Sequence, residues 1–219
     1  MSYFHPNDKI LRFILQKRID CTAVLWYNNK KVYKSPAFYG RKGVMLKGII
    51  FDFDGTLADS EPAQAKARDN LTARYFGKPA VVTGNWVGVS LYKSYAKIWN
   101  TDDMELAKRL VCEHFEEIIK LMKNGEISAT PGALELMKYL KQKGIKIGVA
   151  SGSMRYYVEE GLKCFNFMQY VDAFSGGDEV ENSKPMPDVY ELTLKRLGLG
   201  AKDVIACEDS SSGYSSATA

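Results

Sequence analysis

Short apolar runs alternate with longer amphipathic stretches over most of this chain. Ile49, Ile50, Phe51 and Phe53 form a run broken only by Asp52, as expected for a strand buried on both faces of a parallel sheet. It ends in Asp54 and Gly55. Ile145 to Ala150 reads as a second strand, followed by Ser151-Gly152-Ser153. Asp203 to Cys207 reads as a third, followed by Glu208-Asp209-Ser210. Helical periodicity fills the intervals. It runs from Glu61 to about Lys123 with a break at Asn85-Trp86-Val87-Gly88, from Thr130-Pro131 to Gly144, from Ser153 to about Lys163, and from Pro187 to Leu197. Within the first stretch, Asp102-Asp103 opens a helix that Asn124-Gly125 closes. Thr130 is the expected N-cap of the next helix, with Pro131 at its first position.

Strands alternating with helices predict a parallel α/β sheet. The all-helical interval after the first strand is too long for a loop and is expected to be a separate helical unit. The sequence reading therefore divides the chain into a Rossmann-like core, residues 45–61 and 127–219, and a helical cap, residues 62–126. A basic N-terminal extension, residues 1–44, precedes them. In that extension, Ile10, Leu11, Phe13 and Ile14 suggest a short helix. Residues 23–27 and 31–33 flank a hairpin turn at Asn28-Asn29, and Gly40 to Gly43 reads as a linker. The expectation is that Met45 is the working start and that 1–44 is poorly ordered.

Charge supports that division. Residues 1–46 carry nine basic and two acidic residues, a net +7. The remainder carries 21 basic and 24 acidic residues, a net −3. The basic charges are scattered and no nucleic-acid motif accompanies them, so no nucleic-acid or membrane partner is expected. The 219 residues are 46% hydrophobic and 26% charged, an ordinary globular composition. No apolar run reaches membrane length and no cleavage signal is read, so the expected compartment is the cytoplasm. The four cysteines lie far apart with no CxxC pair and are read as single buried thiols. The two histidines, His5 and His114, exclude a three-histidine metal site, and His114 is read as structural.

Ligands of open α/β sheets collect at the carboxyl ends of the strands. Here those ends carry Asp52 and Asp54, Ser151, and Glu208 with Asp209, while Lys184 lies between the second and third. If they converge, up to four carboxylates crowd one place. Lys184 offsets one, and a divalent cation with oxygen ligands offsets the rest. Mg²⁺ fits such a set, and a phosphorylated substrate is its natural anion. Residues two apart on a strand share a face, so Asp52 and Asp54 can divide nucleophilic and proton-transfer work while Phe53 packs away. Gly55 permits close approach of backbone to an anion. An EF-hand calcium loop would need its glycine at position six rather than four.

Asp52-Phe53-Asp54-Gly55-Thr56-Leu57, Ser151, Lys184-Pro185 and Glu208-Asp209-Ser210-Ser211-Ser212-Gly213 together resemble the four ordered motifs of the haloacid dehalogenase-like hydrolase superfamily. Within it the chain is most similar to the phosphatases and phosphomutases related to β-phosphoglucomutase. That resemblance implies a nucleophile at Asp52 and a general acid and base at Asp54. Thr56 would position Asp54, and Thr56, Ser151, Gly152 and Lys184 would bind the phosphoryl group. Mg²⁺ would be held by Asp52, the Asp54 backbone carbonyl, Glu208 and Asp209. The implied activity is hydrolysis of a small phosphorylated metabolite, a sugar phosphate among the candidates, by a monomer. The alternatives are a sugar phosphomutase and an inactive remnant or binding protein. Family members usually continue with a further strand and helix past the fourth motif, so the core is expected to be truncated at its C-terminal side, with an exposed sheet edge. Asp59, Ser60 and Glu61 are read as hinge and cap residues, and Trp86, Tyr92 and Trp99 as cap core.

Overall fold

The computed structural model describes residues 23–28, 31–34, 46–77 and 90–219. The expected helix near residues 10–14, the linker at 40–43, Met45 and the break at 85–88 lie outside the described residues, as do His5, Cys21 and Trp86.

Six strands form one sheet: β1 (Ala23–Asn28), β2 (Lys31–Lys34), β3 (Gly48–Phe51), β4 (Lys146–Ala150), β5 (Ala173–Ser175) and β6 (Val204–Glu208). Their order is β2-β1-β6-β3-β4-β5. All neighbours run parallel except β2, which pairs antiparallel with β1. Helices α1 (Glu61–Phe76), α2 (Leu91–Ile98) and α3 (Met104–Lys123) follow β3 and form the inserted cap. Helices α4 (Ala133–Gln142), α5 (Arg155–Cys164), α6 (Asp188–Leu197) and α7 (Ser211–Thr218) belong to the core. The α/β fold with an inserted helical cap is thus the one the alternation predicts.

The period of two along each strand decides which face each residue covers. Ile49, Phe51, Ile147, Val149, Ile205 and Cys207 join one apolar cluster with Leu136, Met137 and Leu140 of α4, Val158 and Leu162 of α5, and the cap helices. Ile50, Ala150, Val204 and Ala206 point the other way, onto Val189, Tyr190 and Leu197 of α6. The central strands are therefore apolar at all positions but their ends, Lys146 and Glu208, because both faces are covered. Full burial of each such large side chain contributes roughly 1.5–3 kcal/mol relative to exposure.

Local chemistry sets the helix ends. Asp103 caps α3 by accepting from the amides of Glu105 and Leu106, both at 3.0 Å. Gly125 closes it in the left-handed region, at φ 79°. At α4 the structure corrects the expected start. Gly132, not Thr130, is the N-cap, at φ 84°, because Thr130 to Ala133 first makes a turn closed by the Ala133 amide on the Thr130 carbonyl. Strand β5 carries too short an apolar signal to be read from sequence: three residues at a sheet edge, half-buried at Ala173 and Phe174.

Two further expectations are corrected. The hairpin expected around Asn28 is formed, but its first strand is part of the sheet. Ala23, Val24, Leu25 and Trp26 pair in parallel with Ile205, Ala206, Cys207 and Glu208. The far side of β6, expected to be a bare edge, is thus covered by backbone of the basic extension. Cys112 and Cys164 are exposed free thiols, and only Cys207 among the described cysteines is buried, where burial pushes its thiol up to about 12. No described helix is long and apolar enough to cross a membrane.

Leu25 is paired on both sides, with Lys34 and with Cys207. Leu25→Pro removes a ladder donor from a strand that has no free side. The expected result is a lower Tm by circular dichroism with the helical signal otherwise retained; an unchanged melting curve would show that β1 does not support the sheet.

Candidate active site

The strand registers bring the polar chain segments together. Phe51 pairs with Val149 on one side and with Cys207 on the other, so the next residues, Asp52, Ala150 and Glu208, stand at one level at the carboxyl ends of the strands. The Asp52 amide still donates to the Cys207 carbonyl at 2.9 Å, which holds the two chain exits side by side. Carboxylate oxygens of Asp52, Glu208 and Asp209 all lie within 4.8 Å of one another.

Lys184 reaches this cluster from the segment before α6. Its ammonium donates to Asp52 Oδ1 at 2.7 Å, to Glu208 Oε1 at 2.5 Å and to the Ala150 carbonyl at 3.0 Å. Burial alone would lower the lysine's pKa, but the charges of Asp52 and Glu208 raise it above the ordinary value, so Lys184 is a fixed cation. Asp52 is pushed well above the usual carboxylate range by burial and then by Glu208, with Lys184 opposing. Asp209 is raised to about 6, first by burial and then by Glu208 and Glu61. One lysine therefore does not compensate three acids.

That imbalance is what a divalent cation corrects. Three close carboxylates, at the mouth of a sheet and with two of them raised by burial and mutual repulsion, form an oxygen donor set suited to Mg²⁺. The surrounding chain is shaped to let the acids approach. Gly55 sits at φ +74°, and a Cβ there would collide with the Asp209 carboxylate. A Cβ on Gly213 would collide with the carboxylate of Glu208. Glu208 is further held by Tyr190, whose hydroxyl donates to Oε1 at 2.7 Å, and by Ser210, which donates to Oε2 at 3.2 Å.

Asp54 faces a different set of partners. Its Oδ1 accepts from Ser60 Oγ at 2.5 Å, Gln64 Nε2 at 2.5 Å and the Tyr157 hydroxyl at 2.7 Å. Its Oδ2 accepts from Ser153 Oγ at 2.6 Å, with Ser151 Oγ at 3.5 Å. Ser60 precedes α1 and Gln64 lies on it, whereas Ser153 and Tyr157 belong to the core, so the carboxylate joins cap and core. Phe53, between the two aspartates, is fully buried and meets the Tyr157 ring edge-on at 5.5 Å. Phe53 thus packs away from the two acids, as expected, although β3 itself ends at Phe51.

Thr56, expected to position Asp54, donates instead to Asp209 Oδ1 at 3.2 Å. Ser151 is fully buried and its Oγ accepts from the Ser153 amide at 3.0 Å; Gly152 follows it in the same turn. Sequence reasoning missed Gln64, Ser153, Tyr157 and Tyr190, and read Ser60 as a hinge residue only. The spacing of Ser60 and Gln64, four apart at the start of the helix that follows Asp54, is the signal that was available. Tyr157 and Tyr190 offered none, since a buried aromatic on a helix is ordinarily core. His114 is buried in the cap beside Tyr95, at a centroid distance of 5.3 Å. Burial lowers its pKa to about 3, which keeps it neutral. Trp99 is likewise cap core, its indole N–H donating to Thr72 Oγ1 at 3.0 Å.

This chain is similar to known proteins over most of its length. The phosphorylated carbohydrates phosphatase of Thermotoga maritima is 29% identical over 178 residues, covering 78% of this chain and 80% of that protein. The phosphoglycolate phosphatase of Escherichia coli is 24% identical over 196 residues, covering 80% and 78%. The crystal structure of CbbY from Rhodobacter sphaeroides in complex with phosphate superposes with a TM-score of 0.62 at 25% identity, covering 79% of this chain and 82% of that one. Residues 49–219, which hold all four motifs and every site residue described above, match the family described as haloacid dehalogenase-like hydrolase, and this chain belongs to that family.

Proposed function

We propose that this chain is a Mg²⁺-dependent phosphatase that hydrolyses a small phosphorylated metabolite, a sugar phosphate among the candidates, through an aspartyl-phosphate on Asp52. The observation that carries the reading is the gathering of Asp52, Lys184, Glu208 and Asp209 at one sheet edge, with Asp54 held apart by its own donors. The phosphatase names among the relatives support it.

In the first step a carboxylate oxygen of Asp52 attacks phosphorus and the ester P–O bond breaks. The proton on Asp54 goes to the departing alkoxide. In the second step water attacks the same phosphorus, Asp54 takes a proton from it, and the bond to Asp52 breaks, releasing phosphate. Lys184 holds one oxygen of Asp52 in place and keeps a positive charge beside the phosphoryl oxygens throughout. Ser151 and Gly152 stand at the end of β4, where hydroxyl and amide can meet those oxygens. Mg²⁺ bound by Asp52, the Asp54 carbonyl, Glu208 and Asp209 would supply further charge cancellation on the phosphoryl group. The cap closes over the reacting group and limits access of bulk water.

Asp52→Asn is expected to lower phosphate release from a panel of phosphate monoesters by at least about 10³-fold, and to abolish phosphorylation of the protein seen by intact mass. Retained release would remove Asp52 as the nucleophile. Conversion of a hexose 1-phosphate to its 6-phosphate without phosphate release would favour transfer over hydrolysis.

Metal dependence should carry the signature of Asp209. Its folded-state pKa of about 6 lies above the ordinary carboxylate value, so ionising it is unfavourable in the folded protein. That penalty is absent below the ordinary carboxylate value, builds between that value and about 6, and is complete above it. Mg²⁺ binding needs the ionised form, so affinity should fall by up to about tenfold per pH unit below that point. The expected outcome is a larger rise in Tm on adding Mg²⁺ at about pH 7.5 than at about pH 5, and loss of activity with EDTA that Mg²⁺ restores. Equal Tm shifts at both pH values would contradict the assignment.

A further inference from the structure

The donors around Asp54 are distributed unequally between its two oxygens. Oδ1 accepts three hydrogen bonds, from Ser60, Gln64 and Tyr157. Of these, the Gln64 amide nitrogen can only donate, so Oδ1 always faces a fixed donor. Oδ2 meets only hydroxyls, Ser153 at 2.6 Å and Ser151 at 3.5 Å, and a hydroxyl can rotate to accept as well as donate. The proton that Asp54 gives and takes therefore belongs on Oδ2, while Oδ1 is an anchor.

Of the three anchoring groups, Tyr157 is the one packed between aromatic rings of core and cap. Its ring is fully buried. It lies edge-on to Phe53 at 5.5 Å, and Phe53 is the residue between the two aspartates. Its other neighbour is Phe115 of cap helix α3, at 5.0 Å. Ser60 and Gln64, by contrast, lie at the junction of core and cap and on the cap's first helix. The tyrosine is thus set by packing from the catalytic strand and the cap together, and it spends its one hydroxyl proton on Asp54.

We infer that Tyr157 is a positioning residue for the phosphoryl-transfer reaction, holding Oδ1 of Asp54 so that Oδ2 presents its proton to the leaving alcohol. This rests on the acid role of Asp54 proposed above. In the step concerned, the P–O bond to the alcohol breaks, its electron pair stays on the alcohol oxygen, and the proton on Asp54 Oδ2 moves to that oxygen. Tyr157 loses and gains nothing.

The test separates positioning from a structural role by the leaving group. p-Nitrophenolate departs without a proton, whereas the alkoxide of glycerol 2-phosphate needs one. The value of kcat/KM reports steps up to the first phosphoryl transfer, and the ratio of the two substrates within one preparation cancels any inactive fraction. Tyr157→Phe keeps the ring and removes only the hydroxyl. It is expected to lower kcat/KM for glycerol 2-phosphate by about 10–100-fold and for p-nitrophenyl phosphate by no more than about threefold. An equal loss on both substrates, or no loss on either, overturns the inference. Asp54→Asn measured alongside distinguishes the two levels. If it shows the selective loss and Tyr157→Phe does not, the positioning role fails while the acid role stands. If it shows no selectivity, the acid role fails and the inference with it. Should Tyr157→Phe prove insoluble, Gln64→Leu removes another Oδ1 donor from the half-buried face of α1. Selective loss there supports the anchor, and an equal loss or none overturns it.

Discussion

Like charges held within a few ångströms in a partly dry pocket repel strongly, and the carboxyl edge of this sheet is organised around that repulsion. Asp52, Glu208 and Asp209 bring three carboxylates within 4.8 Å. Lys184 is drawn into contact with two of them, Tyr190 and Ser210 spend hydrogen bonds on Glu208, and Thr56 spends one on Asp209. Even so, Asp52 and Asp209 remain above their ordinary pKa values. A site with that residual excess of negative charge selects for a small hard cation and for the anion such a cation brings with it. The chemistry and the cost of burial are the same fact.

Asp54 escapes that crowding by a change of direction. The chain leaves the sheet after Phe51, and the Asp54 carboxylate, just before the left-handed turn at Gly55, meets a separate nest of neutral donors. Two acids one residue apart thereby sit in different environments, one among charges and one among hydroxyls and an amide. Division of labour between nucleophile and proton carrier follows from that difference. Because the donors come from both the cap's first helix and the core, the acid's orientation depends on how the two parts meet. Phe115 against Tyr157 and the Lys123–Glu160 ion pair at 2.7 Å are where they do.

The sheet itself is completed from an unexpected direction. Strand β1 reaches β6 from a segment whose basic composition suggested a poorly ordered extension, and its pairing of Trp26 with Glu208 extends to the level of the site. Edge covering is a property of backbone hydrogen bonding, which is indifferent to the charge pattern that set the segment apart.

The linear order of residues determined a good deal by itself. Apolar runs too short for helices required strands, and runs apolar at every position required strands covered on both faces. The four polar clusters stand after those strands or just before a helix, so their types and order pointed to one acidic, lysine-containing phosphate site and to its family. Asp103 and Gly125 announced their helix ends because capping is local chemistry. Tertiary structure alone decided the rest. Whether Thr56 serves Asp54 or Asp209, that Tyr157 gives its hydroxyl to Asp54 and Tyr190 to Glu208, and that β1 lies on β6 all depend on contacts between residues from 18 to nearly two hundred positions apart. Periodicity reports which face a side chain occupies, not what it meets there, and a buried tyrosine reads the same whether its hydroxyl faces a carboxylate or a carbonyl.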